Sequence, residues 1–192
     1  MSLPATVRRH TAEEYLALER AAEFKSEYID GEIVARSGAN RAHSLIATNL
    51  TGFLSQALRH GPCEAYGSDM RVKVADTDLY TYPDVTVVCA EPAFEDAMID
   101  TLVNPTVIVE ILSPSTEAYD RGEKFSRYRR LPSLQEYVLV AQDRPRVERY
   151  ARRGHEWVLA EASGLDATVE LTSLGCTLAL AEVYDKVALQ RR

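Results

Sequence analysis

One run of apolar residues, interrupted by a single acid, constrains this chain most. Residues 106–112 have the sequence TVIVEIL, and such a β-branched, nearly continuous apolar run is typical of a strand that is buried on both faces. Glu110 lies inside it. Because an unpaired ionised carboxylate is very costly to bury, Glu110 requires a cation, a metal ion or a proton. A glutamate near a strand end that pairs with an arginine stays an open alternative.

A second acid, Asp84, begins another apolar run in the segment YPDVTVVC. Alone it is compatible with an ordinary residue at a strand end. Two acids on adjacent central strands converge on one point, and carboxylate oxygens together with water are the ligands that Mg²⁺ or Mn²⁺ prefers. The chain has no CxxC pair and no histidine cluster to favour zinc. We therefore predict a hard-metal site formed by Asp84 and Glu110.

The surrounding sequence predicts three helices and one hairpin among several strands. Helical spacing and capping signals favour helices over 11–20, 40–59 and about 117–130. The Asp30-Gly31 pair favours a tight turn between two short strands. Further strands are expected at 63–66, 70–74, 84–89, 106–112, 135–140, 146–152 and 156–160, with a polar stretch at 75–82 and an irregular acidic segment at 90–104. This order predicts a single α+β or mixed α/β domain over 1–192, built on one central sheet.

Composition indicates a globular protein outside the membrane. The 192 residues carry 22 Lys and Arg against 29 Asp and Glu, a net charge of -7. Nothing approaches the roughly 18 consecutive apolar residues of a membrane span, and the N-terminus lacks the apolar core of a secretion signal. We expect a cytoplasmic protein without a membrane partner, whose three cysteines, Cys63, Cys89 and Cys176, are free thiols in apolar surroundings.

The charge is unevenly distributed along the chain. Residues 121–153 hold ten bases against four acids, a net +6, which leaves -13 for the rest. A local basic stretch of this kind is compatible with a surface that tracks the phosphates of a nucleic acid. The equally open alternative is that these are ordinary solvated faces of a helix and two strands.

Three segments, YPDVTVVC, PTVIVEILSPST and YDRGEKFSRY, resemble the Uma-type family of putative restriction endonucleases, a branch of the PD-(D/E)XK nuclease superfamily. The EYIDGEIV hairpin and the helix that contains His43 match the family's N-terminal part, so the resemblance covers about residues 11–140. It implies a restriction-endonuclease-like fold, with a central mixed sheet flanked by helices. The activity it implies is Mg²⁺-dependent hydrolysis of the phosphodiester bonds of DNA by a homodimer.

The resemblance also assigns roles to individual residues. Asp84 matches the metal-binding aspartate and Glu110 the acid of the (D/E)XK half, but Leu112 stands where the superfamily usually has lysine. Lys124, on the following helix, is the candidate replacement that orients the water or stabilises developing charge. A solvated helix lysine is the alternative.

Three more residues are candidates for supporting roles. Glu27 matches an acid at the edge of the family's site, although an exposed strand acid facing Lys25 or Arg36 is equally compatible with the sequence. His43 lies on the apolar face of its helix and Tyr128 one turn after Lys124; a hydrogen-bonded core histidine and a packed tyrosine are the default interpretations.

Two other functions remain open at this point. In the first, the chain is a catalytically inactive nuclease-fold protein that binds nucleic acid or another protein, and Leu112 marks lost activity. In the second, it is a structural domain whose buried acids form ion pairs. A lysine ammonium within reach of the two carboxylates favours the enzyme.

Overall fold

The computed structural model describes residues 9–36, 38–74 and 77–189. Its helices are α1 (Ala12–Ala21), α2 (Arg41–Ala57), α3 (Glu117–Tyr119), α4 (Phe125–Tyr128) and α5 (Leu180–Val183), and a π-helical turn (Asp120–Lys124) joins α3 to α4. Its strands are β1 (Ser26–Ile29), β2 (Glu32–Ala35), β3 (Glu64–Gly67), β4 (Arg71–Val74), β5 (Leu79–Thr81), β6 (Val85–Val88), β7 (Thr101–Leu102), β8 (Val107–Leu112), β9 (Glu136–Ala141), β10 (Arg146–Arg153), β11 (Glu156–Ser163), β12 (Thr168–Leu171) and β13 (Cys176–Ala179).

A six-stranded mixed sheet in the order β11-β10-β9-β8-β6-β3 forms the centre of the fold. Strand β8 pairs antiparallel with β6 and parallel with β9, and all six of its residues are buried. Its alternate residues enter different clusters: Val109 and Ile111 pack with α2, whereas Ile108 and Leu112 pack with α4. Since side chains alternate along a strand, Glu110 belongs to the face that α4 covers.

A second sheet has five strands in the order β2-β1-β5-β4-β7. Here the structure differs from the single central sheet expected from the sequence. The difference arises at β5, which lies inside the stretch predicted to be polar. Leu79, Tyr80 and Thr81 are fully buried between β1 and β4, and a strand of three residues is too short to give a periodic signal. The predicted α+β fold class, with a mixed sheet flanked by helices, is confirmed.

Helices α1 and α2 form as their caps and apolar stripes predict. Thr11 caps α1, and the reciprocal bonds with Glu14 make a complete capping box. Asn40 caps α2, which buries Ile46, Leu50 and Leu54. The predicted helix over 117–130 is instead divided by the π-helical turn.

The C-terminal elements were not predicted. Strands β12 and β13 form a two-stranded hairpin, followed by the short α5. Leu171, Leu178, Leu180 and Val183 from these elements join the core cluster that contains α2. Each segment is only four residues long, which is too short for periodicity to distinguish it from a loop.

Cys63 and Cys89 form a disulfide, whereas Cys176 is a free thiol. The prediction of three free thiols is therefore wrong for this pair. Strands β3 and β6 are antiparallel, with Glu64 opposite Val88. The next pair outward in that register is Cys63 and Cys89, and facing cysteines at adjacent strand ends are close enough to bond. In the part of the chain that the structure describes, no helix combines the length and apolar character needed to cross a membrane.

Candidate functional site

The pairing of β6 with β8 sets Asp84 and Glu110 side by side. Val85 is opposite Val109 in this antiparallel pair, so the next position in the register places Asp84 across from Glu110. Both carboxylates are buried, with side chains 4% and 3% exposed. The two acids that the sequence singled out therefore occupy one place in the sheet.

Asp84 accepts three hydrogen bonds. Its Oδ1 accepts from His43 Nε2 at 3.0 Å and from Arg36 Nη2 at 3.1 Å, and its Oδ2 accepts from the backbone N–H of Ile111 at 2.7 Å. Burial alone raises the pKa of this carboxyl, but the bond and charge of His43, the Ile111 amide and Arg36 together hold the pKa below its ordinary value. Asp84 is therefore ionised, and His43 donates to it rather than merely filling the core.

The ionised form of Glu110 is stabilised less than that of Asp84. Its Oε1 accepts a hydrogen bond from the Tyr128 hydroxyl at 2.9 Å and lies 2.9 Å from Lys124 Nζ. Burial nevertheless raises the pKa of Glu110 to about 8, because the nearby lysine only partly offsets the lost hydration and the charges of Asp120 and Asp84 oppose ionisation. Additional positive charge beside Glu110 would favour its ionised form.

Lys124 points into the protein. Its ammonium lies 2.9 Å from Glu110, 3.5 Å from Glu27 Oε1 and 3.6 Å from Asp120 Oδ1, and its side chain is 5% exposed. Burial opposes the charged form, but the carboxylates of Glu110, Glu27 and Asp120 outweigh it and raise the lysine pKa well above its ordinary value. The solvated helix lysine is thus excluded, and the lysine stays charged.

The inward-pointing Lys124 is the last residue of the π-helical turn. The turn covers Asp120–Lys124 and gives way directly to α4. A π-turn is wider than an α-turn and is found frequently at functional sites. Asp120, Lys124 and Tyr128 are all buried, and the last two both meet Glu110.

Glu27 is a buried residue, so the alternative of an exposed strand acid does not apply. Its Oε1 accepts from the Thr81 hydroxyl at 2.6 Å and from the Tyr82 amide at 3.3 Å. Burial raises its pKa, but Lys124, Thr81 and Arg36 outweigh that effect and keep the pKa below its ordinary value. Glu27 is therefore ionised beside the lysine.

Sequence reasoning missed two charged residues of this site, Arg36 and Asp120. Asp120 lies four residues before Lys124, a spacing that brings helical side chains together. Arg36 lies two residues after Val34, which is paired with Glu27 in the hairpin. Since alternate strand residues share a face, this register was a usable signal that Arg36 and Glu27 lie on the same side.

The donor set fits a hard divalent cation. Four acids, Glu27, Asp84, Glu110 and Asp120, are accompanied by two cations, Arg36 and Lys124, so the acids outnumber the cations, and a bound cation would favour the ionised form of Glu110. Within the described ranges, no group of three or more His, Cys, Asp or Glu residues is arranged to hold a metal ion. A metal here would rest on the two strand carboxylates, with water and substrate oxygens completing the shell, which is how Mg²⁺ is usually held.

Much of the basic segment 121–153 is engaged within the protein. Arg121 and Arg146 both pair with the buried Glu148. Arg127 pairs with Asp30, and Arg152 donates to backbone carbonyls of the loop after α4. The +6 of this segment therefore overstates the positive charge that is available to a partner.

The chain is similar to known proteins along most of its length. The family model described as "Uma2: Putative restriction endonuclease" matches residues 12–181. Two proteins of Synechocystis sp. (strain ATCC 27184 / PCC 6803 / Kazusa) are similar along nearly the whole chain. The uncharacterized protein sll1609 is 40% identical over 90% of this chain and 98% of its own length, and the uncharacterized protein slr1290 is 37% identical over 92% of each.

A solved structure shares the fold. The crystal structure of a putative nuclease belonging to DUF820 from Anabaena variabilis superposes with a TM-score of 0.77, covers 93% of this chain and 99% of its own, and is 21% identical. The predicted family resemblance is confirmed by the family match, which extends beyond the motifs into β13 and α5. The chain belongs to the Uma2 family of putative restriction endonucleases.

Proposed function

We propose that this protein is a metal-dependent endonuclease that hydrolyses phosphodiester bonds of DNA. Membership of the Uma2 family supports a nuclease. The single observation that carries the proposal is the Lys124 ammonium, 2.9 Å from Glu110 at the point where Asp84 and Glu110 meet. A cation and two strand carboxylates that could hold a metal suit a reaction that develops negative charge on the oxygens around phosphorus.

Asp84 and Glu110 are the proposed ligands of Mg²⁺ or Mn²⁺. When bound, such an ion neutralises charge on the phosphate and lowers the pKa of a coordinated water. Asp84 is already ionised, and its His43 and Ile111 contacts fix its orientation. The raised pKa of Glu110 makes its ionisation depend on added positive charge.

Lys124 is proposed to assist the attack of water on the phosphate. In hydrolysis a water oxygen forms a bond to phosphorus and the water releases one proton, one bridging P–O bond breaks, and the leaving oxygen takes up one proton, so that the net reaction adds one water. The Lys124 ammonium orients the attacking water and stabilises the developing charge. Glu27 and Asp120 fix the ammonium in place, so this chain supplies from a helix the lysine that Leu112 does not supply from the strand.

The catalytically inactive binding module is the second candidate. Leu112 at the usual lysine position favours it, and the inward position of Lys124 argues against it. A homodimer that acts on duplex DNA completes the proposal, since two paired sites cut the two strands. We also propose a cytoplasmic location, where reducing conditions would keep Cys63 and Cys89 as thiols. Light scattering measures the oligomeric state directly.

Plasmid cleavage with Mg²⁺ or Mn²⁺ tests the enzyme. We expect nicking by the wild type and none by Asp84→Asn or Glu110→Gln. Lys124→Met should cut about a hundred- to a thousandfold more slowly, the usual effect of removing one electrostatic stabiliser.

The matched control is Glu148→Gln, which alters an equally buried acid outside the site. Glu148 pairs with Arg121 and Arg146, and a folded Glu148→Gln protein should cut normally. If the wild type cuts neither DNA nor RNA, the binding module replaces the enzyme.

A further inference from the structure

Arg36 is the charged residue of the site to which neither the motifs nor the proposed reaction gives a role. It directly follows β2, and its backbone N–H donates to Lys25 O at 3.0 Å, which extends the hairpin by one step. Its guanidinium Nη2 lies 3.1 Å from Asp84 Oδ1. The backbone is therefore fixed by the sheet while the long side chain reaches across the site.

The charges of three carboxylates act on this guanidinium. Burial works against its charge, but Glu110, Asp84 and Glu27, in that order, outweigh burial and raise the pKa of Arg36. The side chain is 25% exposed, compared with 5% for Lys124. Lys124 is thus enclosed by its acids, whereas Arg36 is the more exposed of the two cations.

The Arg36–Asp84 contact competes with a cation bound to Asp84. Oδ1 already accepts from His43 and Arg36, and Oδ2 is committed to the Ile111 amide. A divalent ion on Asp84 would sit within a few ångströms of the guanidinium, where like charges repel by several kcal/mol at the effective dielectric of a protein site. Ion binding and this contact therefore disfavour one another.

We propose that Arg36 is an exchangeable phosphate ligand: it neutralises Asp84 while the site holds no divalent ion, and it moves to a non-bridging oxygen of the substrate phosphate when an ion occupies Asp84. The guanidinium suits the exchange because it is permanently charged, weakly hydrated and shaped to hold carboxylate and phosphate alike by two parallel bonds. This inference rests on the proposed function and adds a residue that recognises the scissile phosphate.

The exchange has a signature that a simple salt bridge lacks. Without a divalent ion, Arg36 is occupied by Asp84 and contributes little to DNA affinity. With an ion present, the freed guanidinium contributes to DNA affinity. Loss of Arg36 should therefore strengthen the binding of the metal alone and weaken only the metal-dependent part of DNA binding.

The experiment compares Arg36→Gln and Arg36→Lys with the wild type. Arg20→Gln is the matched control, because Arg20 is 26% exposed and pairs with Asp96 and Asp100, outside the site. Calorimetry measures Mn²⁺ binding to the DNA-free protein. Fluorescence anisotropy measures the affinity for a short duplex in EDTA and in Ca²⁺, a hard cation that also takes oxygen ligands. Thermal melting confirms that each variant folds.

We expect Arg36→Gln to bind Mn²⁺ at least about threefold more tightly, since one competing charge is gone. It should lose about tenfold in duplex affinity in Ca²⁺, the usual effect of losing a hydrogen-bonded charge contact, and less than about twofold in EDTA. Arg36→Lys should lie between, because lysine keeps the charge without the fork. Arg20→Gln should match the wild type in every measurement.

Other results would contradict the exchange, the proposed hydrolysis or both. Unchanged or weaker Mn²⁺ binding by Arg36→Gln, or an equal loss of duplex affinity with and without Ca²⁺, would overturn the exchange. A wild type that binds no Mn²⁺ would overturn both proposals. If the wild type binds Mn²⁺ and DNA but cuts nothing, the proposed hydrolysis fails, while the predicted Arg36 signature in the two binding measurements still supports the exchange.

Discussion

At the scale of single residues, Glu110 determines the chemistry of the site. Its carboxyl is 3% exposed and its pKa is raised to about 8, mainly by burial. Asp84, equally buried, has a lowered pKa because His43, Ile111 and Arg36 stabilise its charge. The two neighbouring acids therefore differ in proton affinity because their hydrogen-bond partners differ.

This difference predicts a pH dependence of stability. The folded pKa of Glu110, about 8, is above its reference value of 4.5. The folded state thus holds a proton more tightly, so the stabilisation is complete below about 4.5 and is lost as the pH rises through 8. Relative to Glu110→Gln, the metal-free wild type should lose free energy of unfolding between pH 5 and 9. Urea denaturation at a series of pH values measures it, and parallel curves for the two proteins would refute it.

Sequence predicted the central residues of the site better than their surroundings. Asp84 and Glu110 were identifiable because acids are costly in apolar strands, and Lys124 was identifiable from the family resemblance. Arg36 and Asp120 gave weaker signals, the hairpin register and the four-residue spacing from Lys124, because an arginine after a hairpin strand and an aspartate in a polar helix are ordinary exposed residues in most proteins. Only the three-dimensional arrangement turns them inward, toward Asp84 and Lys124 respectively.

At the scale of elements, the disulfide ties the edge strand β3 to β6, which follows Asp84. The cysteines are 26 residues apart in sequence, and closing a loop of this size stabilises a protein by about 3 kcal/mol. We expect Cys63→Ser to lower the free energy of unfolding by about 2–4 kcal/mol under oxidising conditions and not at all in excess dithiothreitol. Cys176→Ser, which removes the free thiol, is the control. An equal effect of both substitutions would show that the bond contributes nothing.

Elements with long periodic patterns were predictable and short ones were not. The 17-residue α2 and the six-residue β8 follow their sequence patterns. Strand β5 has three residues, and β12, β13 and α5 have four each. Tertiary packing rather than local pattern determines such segments, since Leu79 of β5, Val169 and Leu171 of β12 and Leu178 of β13 are buried in the two large core clusters.

At the scale of the whole molecule, an acidic protein is proposed to bind a polyanion. Arg129 and Arg130 are exposed at the end of α4, where the Arg129 guanidinium lies over the ring of Phe125. Arg130 also lines a cavity with Lys73 and Arg127, in which Asp30 and Asp78 are further lining residues. These positions are the better candidates for phosphate contacts.

The salt dependence of duplex binding separates the two kinds of arginine. Each phosphate contact contributes about -0.9 to the log-log slope of affinity against salt. Arg129→Gln combined with Arg130→Gln should make the slope shallower by up to about 1.8. Arg152→Gln should leave the slope unchanged and lower stability, because its guanidinium binds backbone carbonyls. Equal slopes in the wild type and the double variant would assign these two residues to ordinary surface.

The most direct test of the proposed metal site is diffraction from crystals soaked in Mn²⁺, with data collected at a wavelength where manganese scatters anomalously. We predict an anomalous peak between the carboxylates of Asp84 and Glu110, which is absent from Asp84→Asn crystals soaked in the same way. A wild-type crystal that shows Mn²⁺ elsewhere but none between these two acids would contradict the assignment of the metal to the paired strands β6 and β8.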